Sequence, residues 1–138
     1  MEVNLKRVNK AVHFEASAAS SPVTVHIDGS PDIGGEENGV RPMELVLMAL
    51  GSCSVLDLLS ILKKQRQQVD DVKIKVTGNR REAIPNVFTD IHIEFFLIGD
   101  IDQAKAEKAA ELAVKKYCSV HDMLADGGIE ISYGIQLN

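Results

Sequence analysis

Cys53 and Cys118 are the only two cysteines among the 138 residues. Two are too few for a disulfide framework, and their separation, 118 − 53 = 65 residues, makes neither a C-x-x-C redox motif nor a local zinc knuckle. Positive charge is also lacking: the formal net charge is −5 and the sequence pI is near 5.3. Gripping a phosphate backbone takes cations, so nucleic acid is not an expected partner. The short basic cluster Lys63, Lys64 and Arg66 falls where a helix would end and complements the dipole there. The opening MEVNLKRVNKAV has no apolar h-region and no small-residue cleavage site. Gly51, Ser52, Ser54, Asp57 and Ser60 interrupt the longest apolar stretch, Leu45 to Leu62, and make it too polar for a comfortable membrane span. The expectation is a cytoplasmic protein without a membrane partner, in a compartment where thiols stay reduced unless a reaction oxidises them. No G-x-G-x-x-G, P-loop, HExxH or G-x-S-x-G is present, so no cofactor is expected.

What is present fits one domain spanning residues 1–138, large enough to bury a core. Apolar residues make up 45% and charged residues 25%, as in ordinary globular proteins. Met1–Val8, Val12–Ala16 and Val23–Ile27 read as strands, the last two split by the turn-prone SAASSP. Asp28–Gly39 is a Gly/Pro/acidic stretch, too short for an interdomain linker and long enough for a functional loop. Pro42 opens a helix expected to reach about Gln67. Its first half is apolar on nearly every face, which predicts burial all round, by a central core position or by a second subunit. Val69–Arg80 and Val87–Ile98 alternate with period two and pair as a hairpin through RREAIPN. Asp102–Tyr117 carries Ala104, Ala109, Leu112, Ala113 and Val114 at helical spacing. Ser119-x-x-Asp122 resembles a capping box opening a short third helix, and Ile129–Leu137 reads as a final strand. The order is βββ-α-ββ-αα-β, an α+β fold.

Free cysteine is usually a buried apolar residue, and that is the plain reading of Cys53. Gly51 and Ser52, however, remove bulk beside it, and a helical Gly, which costs about 1 kcal/mol relative to Ala, suits a kink or a close approach. Cys118 sits ahead of a helix N-terminus with Lys115 and Lys116 nearby, features that favour a thiolate. Cys118-x-x-His121 supplies only half a zinc site, and Cys53 would add only a third ligand. His13, His26 and His92 fall on the polar phase of their strands as solvent-facing residues, so no metal is expected.

These residues resemble the OsmC/Ohr family of thiol-dependent hydroperoxide reductases. RPMELVLMALGSCSVLDLL around the first cysteine, PNVFTDIHIEF in the hairpin and KYCSVHDML around the second carry the likeness, which spans nearly the whole chain. The wording of PMELVLMA and KYCSV is nearest to the family's YhfA-like branch. The resemblance implies an OsmC-like fold in an intertwined homodimer whose two long helices cross at the centre, with active sites at the subunit interface. It implies that Cys53 attacks the peroxide O–O bond and becomes a sulfenic acid, that Cys118 condenses with it to a disulfide, and that an external thiol reduces the product. Well-studied members place a glutamate where this chain has Met43; here Glu44 follows, about 100° further round the helix. The family's activating arginine lies between the first two strands, but Lys10–Ser21 contains none. Arg41 is then the nearest candidate for steadying the thiolate, with Glu44 beside it and Arg80 or Arg81 as alternatives.

Two functions follow. One is a peroxidase reducing organic hydroperoxides or hydrogen peroxide in oxidative stress defence, with Cys53, Cys118, Arg41 and Glu44 as its site and a peroxide and a thiol reductant as its partners. The other is a weakly catalytic or non-catalytic dimer that binds a small hydrophobic ligand at the subunit interface.

Overall fold

A computed structural model describes residues Met1–Asn138. The elements run β1 (Val3–Arg7), β2 (Phe14–Ala18), β3 (Ser21–Ile27), α1 (Pro42–Lys64), β4 (Gln68–Arg80), β5 (Phe88–Asp100), α2 (Gln103–Leu112), α3 (Ser119–Asp126) and β6 (Glu130–Leu137). This is the α+β order read from the sequence. The chain divides into two compact units, Met1–Val46 and Leu47–Asn138; α1 begins in the first and continues into the second.

The first unit is an antiparallel meander in the order β1-β2-β3. A tight turn at Ala19 and Ser20 joins β2 to β3. The Asp28–Gly39 loop contains a single 3-10 turn, Pro31–Ile33. Asp28 organises this loop: its carboxylate accepts the backbone N–H groups of Gly29 (2.8 Å), Glu36 (3.0 Å) and Asn38 (3.1 Å). Such Asx-type bonds let a short acid replace the missing strand or helix partners of a loop backbone.

In the second unit β5 is central, antiparallel to β4 and parallel to β6. A parallel pair needs a crossover rather than a tight turn, and α2 and α3 supply it. Ile91, Ile93, Phe95 and Leu97 alternate along β5 onto one face and are 0–1% exposed, the period-two signature of a strand with one packed face. Ala106, Ala109, Ala110 and Ala113, also fully buried, follow the i, i+3, i+4, i+7 spacing of one helical face. Their small side chains suit close packing of that face.

α1 departs from expectation at its end. It ends at Lys64 rather than near Gln67 because Arg66 turns left-handed at φ 58° and the Gln67 N–H donates to the Leu62 carbonyl at 2.9 Å. That type of helix stop usually announces itself with glycine; here an arginine adopts it. Within one chain the helix buries one face. Leu50, Ser54, Leu58 and Leu62 form a buried row at i+4 spacing, whereas Met48 and Leu56 are 51% and 68% exposed. By length and apolarity α1 could cross a membrane, which corrects the reading of its sequence as too polar; in this fold its buried row packs within the protein.

Gly51 lies in α1 where a Cβ would come within 2.8 Å of Val76 Cγ2 on β4. Of the two uses weighed for this glycine, close approach is the one realised, and the group approaching is a strand. Gly51→Ala gains about 1 kcal/mol of helix propensity but forces a β-branched neighbour aside, an overpacking cost of about 1–3 kcal/mol. The expected net effect is a loss of stability of roughly 1–2 kcal/mol. Urea unfolding of the variant checks this, and a midpoint equal to or above wild type would contradict it.

Candidate active site

The second helix was expected to continue to Tyr117, but regular α-helix stops at Leu112 and Ala113–Tyr117 form a π turn. The Cys118 N–H donates to the Ala113 carbonyl at 3.1 Å, an i→i−5 bond that closes the widened turn. Single π turns of this kind are frequent at functional sites. Here the turn ends on a cysteine that is 1% exposed.

The cap of α3 also differs from the expected one. Cys118, not Ser119, is the N-cap, with extended backbone at φ −71° and ψ 104°. Its Sγ accepts the His121 N–H at 3.3 Å, the role a Ser, Thr, Asp or Asn oxygen ordinarily fills. His121 turns its ring toward Asp122, with Nδ1 at 3.2 Å from Oδ1.

Cys53 is half-buried on α1 and unoxidised, as is Cys118. The fold brings the two into one neighbourhood: Cys53 and Ser54 both act on the Cys118 thiol, though the Ser54 hydroxyl makes no hydrogen bond of ordinary geometry to it. Burial pushes the Cys118 thiol above its ordinary range; Ser54 opposes that effect, the Cys53 contact reinforces it, and the His121 N–H opposes it. The helix-end position had suggested the reverse, a Cys118 poised as thiolate. Two features explain the outcome. Cys118 is buried, and the flanking cations are engaged elsewhere, Lys115 Nζ at 5.8 Å from the Tyr133 ring centre and Lys116 Nζ at 5.5 Å from that of Tyr117.

Ser54 is the residue that sequence reasoning passed over. It is fully buried, and its Oγ has no hydrogen bond of ordinary geometry. Its neighbour Ser52, on the exposed side, bonds back to the Met48 carbonyl at 2.7 Å. The available signal was Ser54's place in the row Leu50-Ser54-Leu58-Leu62, the one polar member of a leucine stripe.

Arg41 and Glu44 occupy the start of α1, within the first unit. The Glu44 carboxylate accepts the Arg41 backbone N–H at 2.8 Å, the returning half of a capping box. The Arg41 guanidinium donates to the Asp28 carbonyl at 3.2 Å and pairs with Glu37 at 3.9 Å. The alternatives, Arg80 and Arg81, donate to the Asn86 and Pro85 carbonyls at the hairpin tip, each at 2.7 Å.

The histidines are less idle than their strand phase suggested. His13 lies just ahead of β2, with Nε2 at 2.8 Å from His26 Nδ1. His92 contacts Ser132 Oγ at 2.7 Å and Glu94 at 3.0 Å. No group of three or more His, Cys, Asp or Glu side chains is arranged to hold a metal ion.

Two sheets, a long helix presenting one cysteine and a second cysteine capping a short helix define a small α+β protein built around a thiol pair. The chain belongs to the OsmC family: the family model described as OsmC-like protein matches residues 34–134. It is 49% identical over 125 residues to Protein YhfA of Escherichia coli K12, covering 90% of this chain and 89% of that one. A hypothetical protein from Aquifex aeolicus has a similar solved structure, with a TM-score of 0.81, 34% identity, and 99% and 96% of the two chains covered. An organic hydroperoxide resistance protein from Elizabethkingia anophelis shares the fold at a TM-score of 0.72 and 14% identity, over 100% and 97% of the chains.

The Asp28 carboxyl is held below its usual range, first by the Asn38 N–H, with burial opposing and the Glu36 and Gly29 N–H groups assisting. A depressed folded value means that this stabilisation is complete above the ordinary value of 3.8 and fades as pH falls through the lower folded one. Asp28→Asn should therefore lower stability at neutral pH, with the difference from wild type shrinking below about pH 4. Parallel acid titrations of wild type and variant, followed by circular dichroism, check this, and a gap that persists at the acid end would contradict it.

Proposed function

We propose that the protein reduces organic hydroperoxides or hydrogen peroxide, with Cys53 as the attacking sulfur and Cys118 as the resolving one, in defence against oxidative stress. The observation that carries this reading is the thiol pair, two cysteines 65 positions apart (118 − 53) lying within reach of each other. Their environments suit different roles. Cys53 is half-buried, so a peroxide can approach it, whereas Cys118 is enclosed and kept as a thiol.

The Cys53 thiolate attacks the distal peroxide oxygen, the O–O bond breaks, and the departing alkoxide takes a proton to leave as an alcohol. The Cys118 thiol then condenses with the Cys53 sulfenic acid, forming the S–S bond and releasing water. An external thiol reduces the disulfide by exchange. Arg41 is the guanidinium assigned to steady the attacking thiolate, and Glu44 fixes the backbone that carries it. Membership of the OsmC family, and the hydroperoxide resistance in the name of the Elizabethkingia relative, support the same chemistry. The reading places the protein in the cytoplasm, without a membrane or nucleic-acid partner.

A homodimer belongs to this proposal. Met48 and Leu56 on α1, and Val3, Leu5 and Val23 on the first sheet, are 51–71% exposed in the single chain, apolar side chains that a second copy would cover. A second reading, a dimer that holds a small hydrophobic ligand without turnover, draws on an apolar depression of about 350 Å³ in the first unit, lined by residues including Val3, Leu5, Val25, Ile27 and Leu45.

Mass spectrometry after one equivalent of cumene hydroperoxide tests the chemistry. The expected products are a Cys53–Cys118 disulfide in wild type and, in Cys118→Ser, a Cys53 sulfenic acid trapped by dimedone. Full turnover by Cys53→Ser combined with its loss in Cys118→Ser would reverse the roles, and the absence of any oxidised species would leave the ligand-binding reading. Sedimentation equilibrium at micromolar concentration should give twice the 15.0 kDa mass of one chain; a folded monomer would remove the homodimer.

A further inference from the structure

A serine inside a helix commonly satisfies its hydroxyl by bonding back one turn, as Ser52 does to Met48. Ser54 does not. Its Oγ is fully enclosed and makes no hydrogen bond of ordinary geometry to nitrogen, oxygen or sulfur. A buried hydroxyl left unpaired costs about 1–3 kcal/mol, and Ala at the same place would avoid that cost while favouring the helix. Such a group is expected to act on whatever it faces, and the polar atom beside it is the Cys118 sulfur. That sulfur already accepts one donor, the His121 N–H at 3.3 Å.

We propose that Ser54 is a catalytic residue of disulfide closure: its hydroxyl and the His121 N–H form a two-donor cradle for the negative charge that develops on Cys118 Sγ. The proposal rests on the peroxidase reading for its biological setting, but the cradle acts on any attack by Cys118 on an oxidised Cys53. In the condensation, Cys118–SH and Cys53–SOH give Cys53–S–S–Cys118 and water. The Cys118 proton leaves on the sulfenic hydroxyl, and the S–O bond breaks as the S–S bond forms. Charge gathers on Cys118 Sγ as that proton departs, inside a buried site where fixed donors act far more strongly than in water. Thiolates rather than thiols attack, and burial keeps Cys118 protonated; without donors closure would be slow. The titratable groups around Cys118 are Cys53, which is consumed as the electrophile in this step, the His121 ring, turned to Asp122, and Lys115 and Lys116, set against the Tyr133 and Tyr117 rings.

Closure can be measured apart from peroxide chemistry. Cys53 is converted to a mixed disulfide with an aromatic thiol, and attack by Cys118 releases the coloured aryl thiolate. Ser54→Ala is expected to fold with wild-type or slightly higher stability, and to close on the order of 10-fold more slowly at neutral pH, the equivalent of about 1.4 kcal/mol. Its rate–pH profile should move to higher pH, because one of the donors that makes the Cys118 thiolate accessible is gone. Ser54→Thr, which keeps the hydroxyl, should restore closure to within about threefold, a loss of under about 0.7 kcal/mol. Closure by Ser54→Ala at the wild-type rate would overturn the proposal, and so would a slow rate with an unshifted pH profile, which is the mark of a packing defect. In the peroxide reaction, slower closure should let the Cys53 sulfenic acid persist, so dimedone trapping should rise in Ser54→Ala relative to wild type, and trapping at or below the wild-type level would contradict the proposal. Failure of wild type to form any sulfenic acid would overturn the peroxidase reading, while the release assay would still decide the role of Ser54.

Discussion

The thiol pair depends on how closely α1 can lie on the second sheet, and that closeness is set at Gly51. A Cβ there would stand 2.8 Å from Val76, so the contact between helix and strand is made by backbone on one side. With the helix seated, Leu50, Ser54, Leu58 and Leu62 turn inward as one row. Cys53, one position off the row, is then left half in and half out. The partial exposure of the attacking sulfur and the complete burial of Ser54 are thus two consequences of a single packing contact.

Cys118 reaches the same place by a different route. The π turn over Ala113–Tyr117 adds a residue to the helical repeat just before the chain breaks into extended backbone. The cysteine then serves as the cap of α3, with its sulfur replacing the usual side-chain oxygen. Sulfur is a weak acceptor, so a cysteine cap gives up part of the stability an oxygen cap would supply. What the position gains is a buried thiol locked by the helix start and near Cys53 and Ser54 of α1. The raised proton affinity of Cys118 follows from that enclosure.

The first unit shows a different economy. Its sheet leaves Val3, Leu5 and Val23 open, and its order lies in the loop that Asp28 ties together through three backbone bonds. Arg41 is anchored to the Asp28 carbonyl, so the guanidinium and the loop form one construction. The acidic, glycine-rich stretch that read as long enough for a functional loop holds Arg41, two residues beyond its end, through Asp28 and Glu37.

Much of this was legible from the residues alone. Period-two runs such as Val72, Ile74, Val76 and Ile91, Ile93, Phe95 marked the paired strands, Pro42 marked the start of α1, and the segments around Cys53 and Cys118 carried the family, because each rests on patterns local in the chain. The end of α1 was not legible, since Arg66 adopts a left-handed turn that glycine usually announces. Neither was the π turn, because a residue inserted into a helix leaves the spacing of apolar positions nearly unchanged. The capping box was placed one residue late, for nothing in a sequence says that a sulfur will accept the bond an adjacent hydroxyl could take. Proton affinity at Cys118 was misjudged for a related reason: a helix start and neighbouring lysines are visible in the sequence, whereas desolvation exists only after the chain has closed around the site. The sequence determined that two thiols sit on helices in an OsmC-like chain. Only the tertiary structure decided that they come near each other, which of them is buried, and that the Ser54 hydroxyl stands unpaired beside Cys118, because burial and contact belong to residues far apart in the chain.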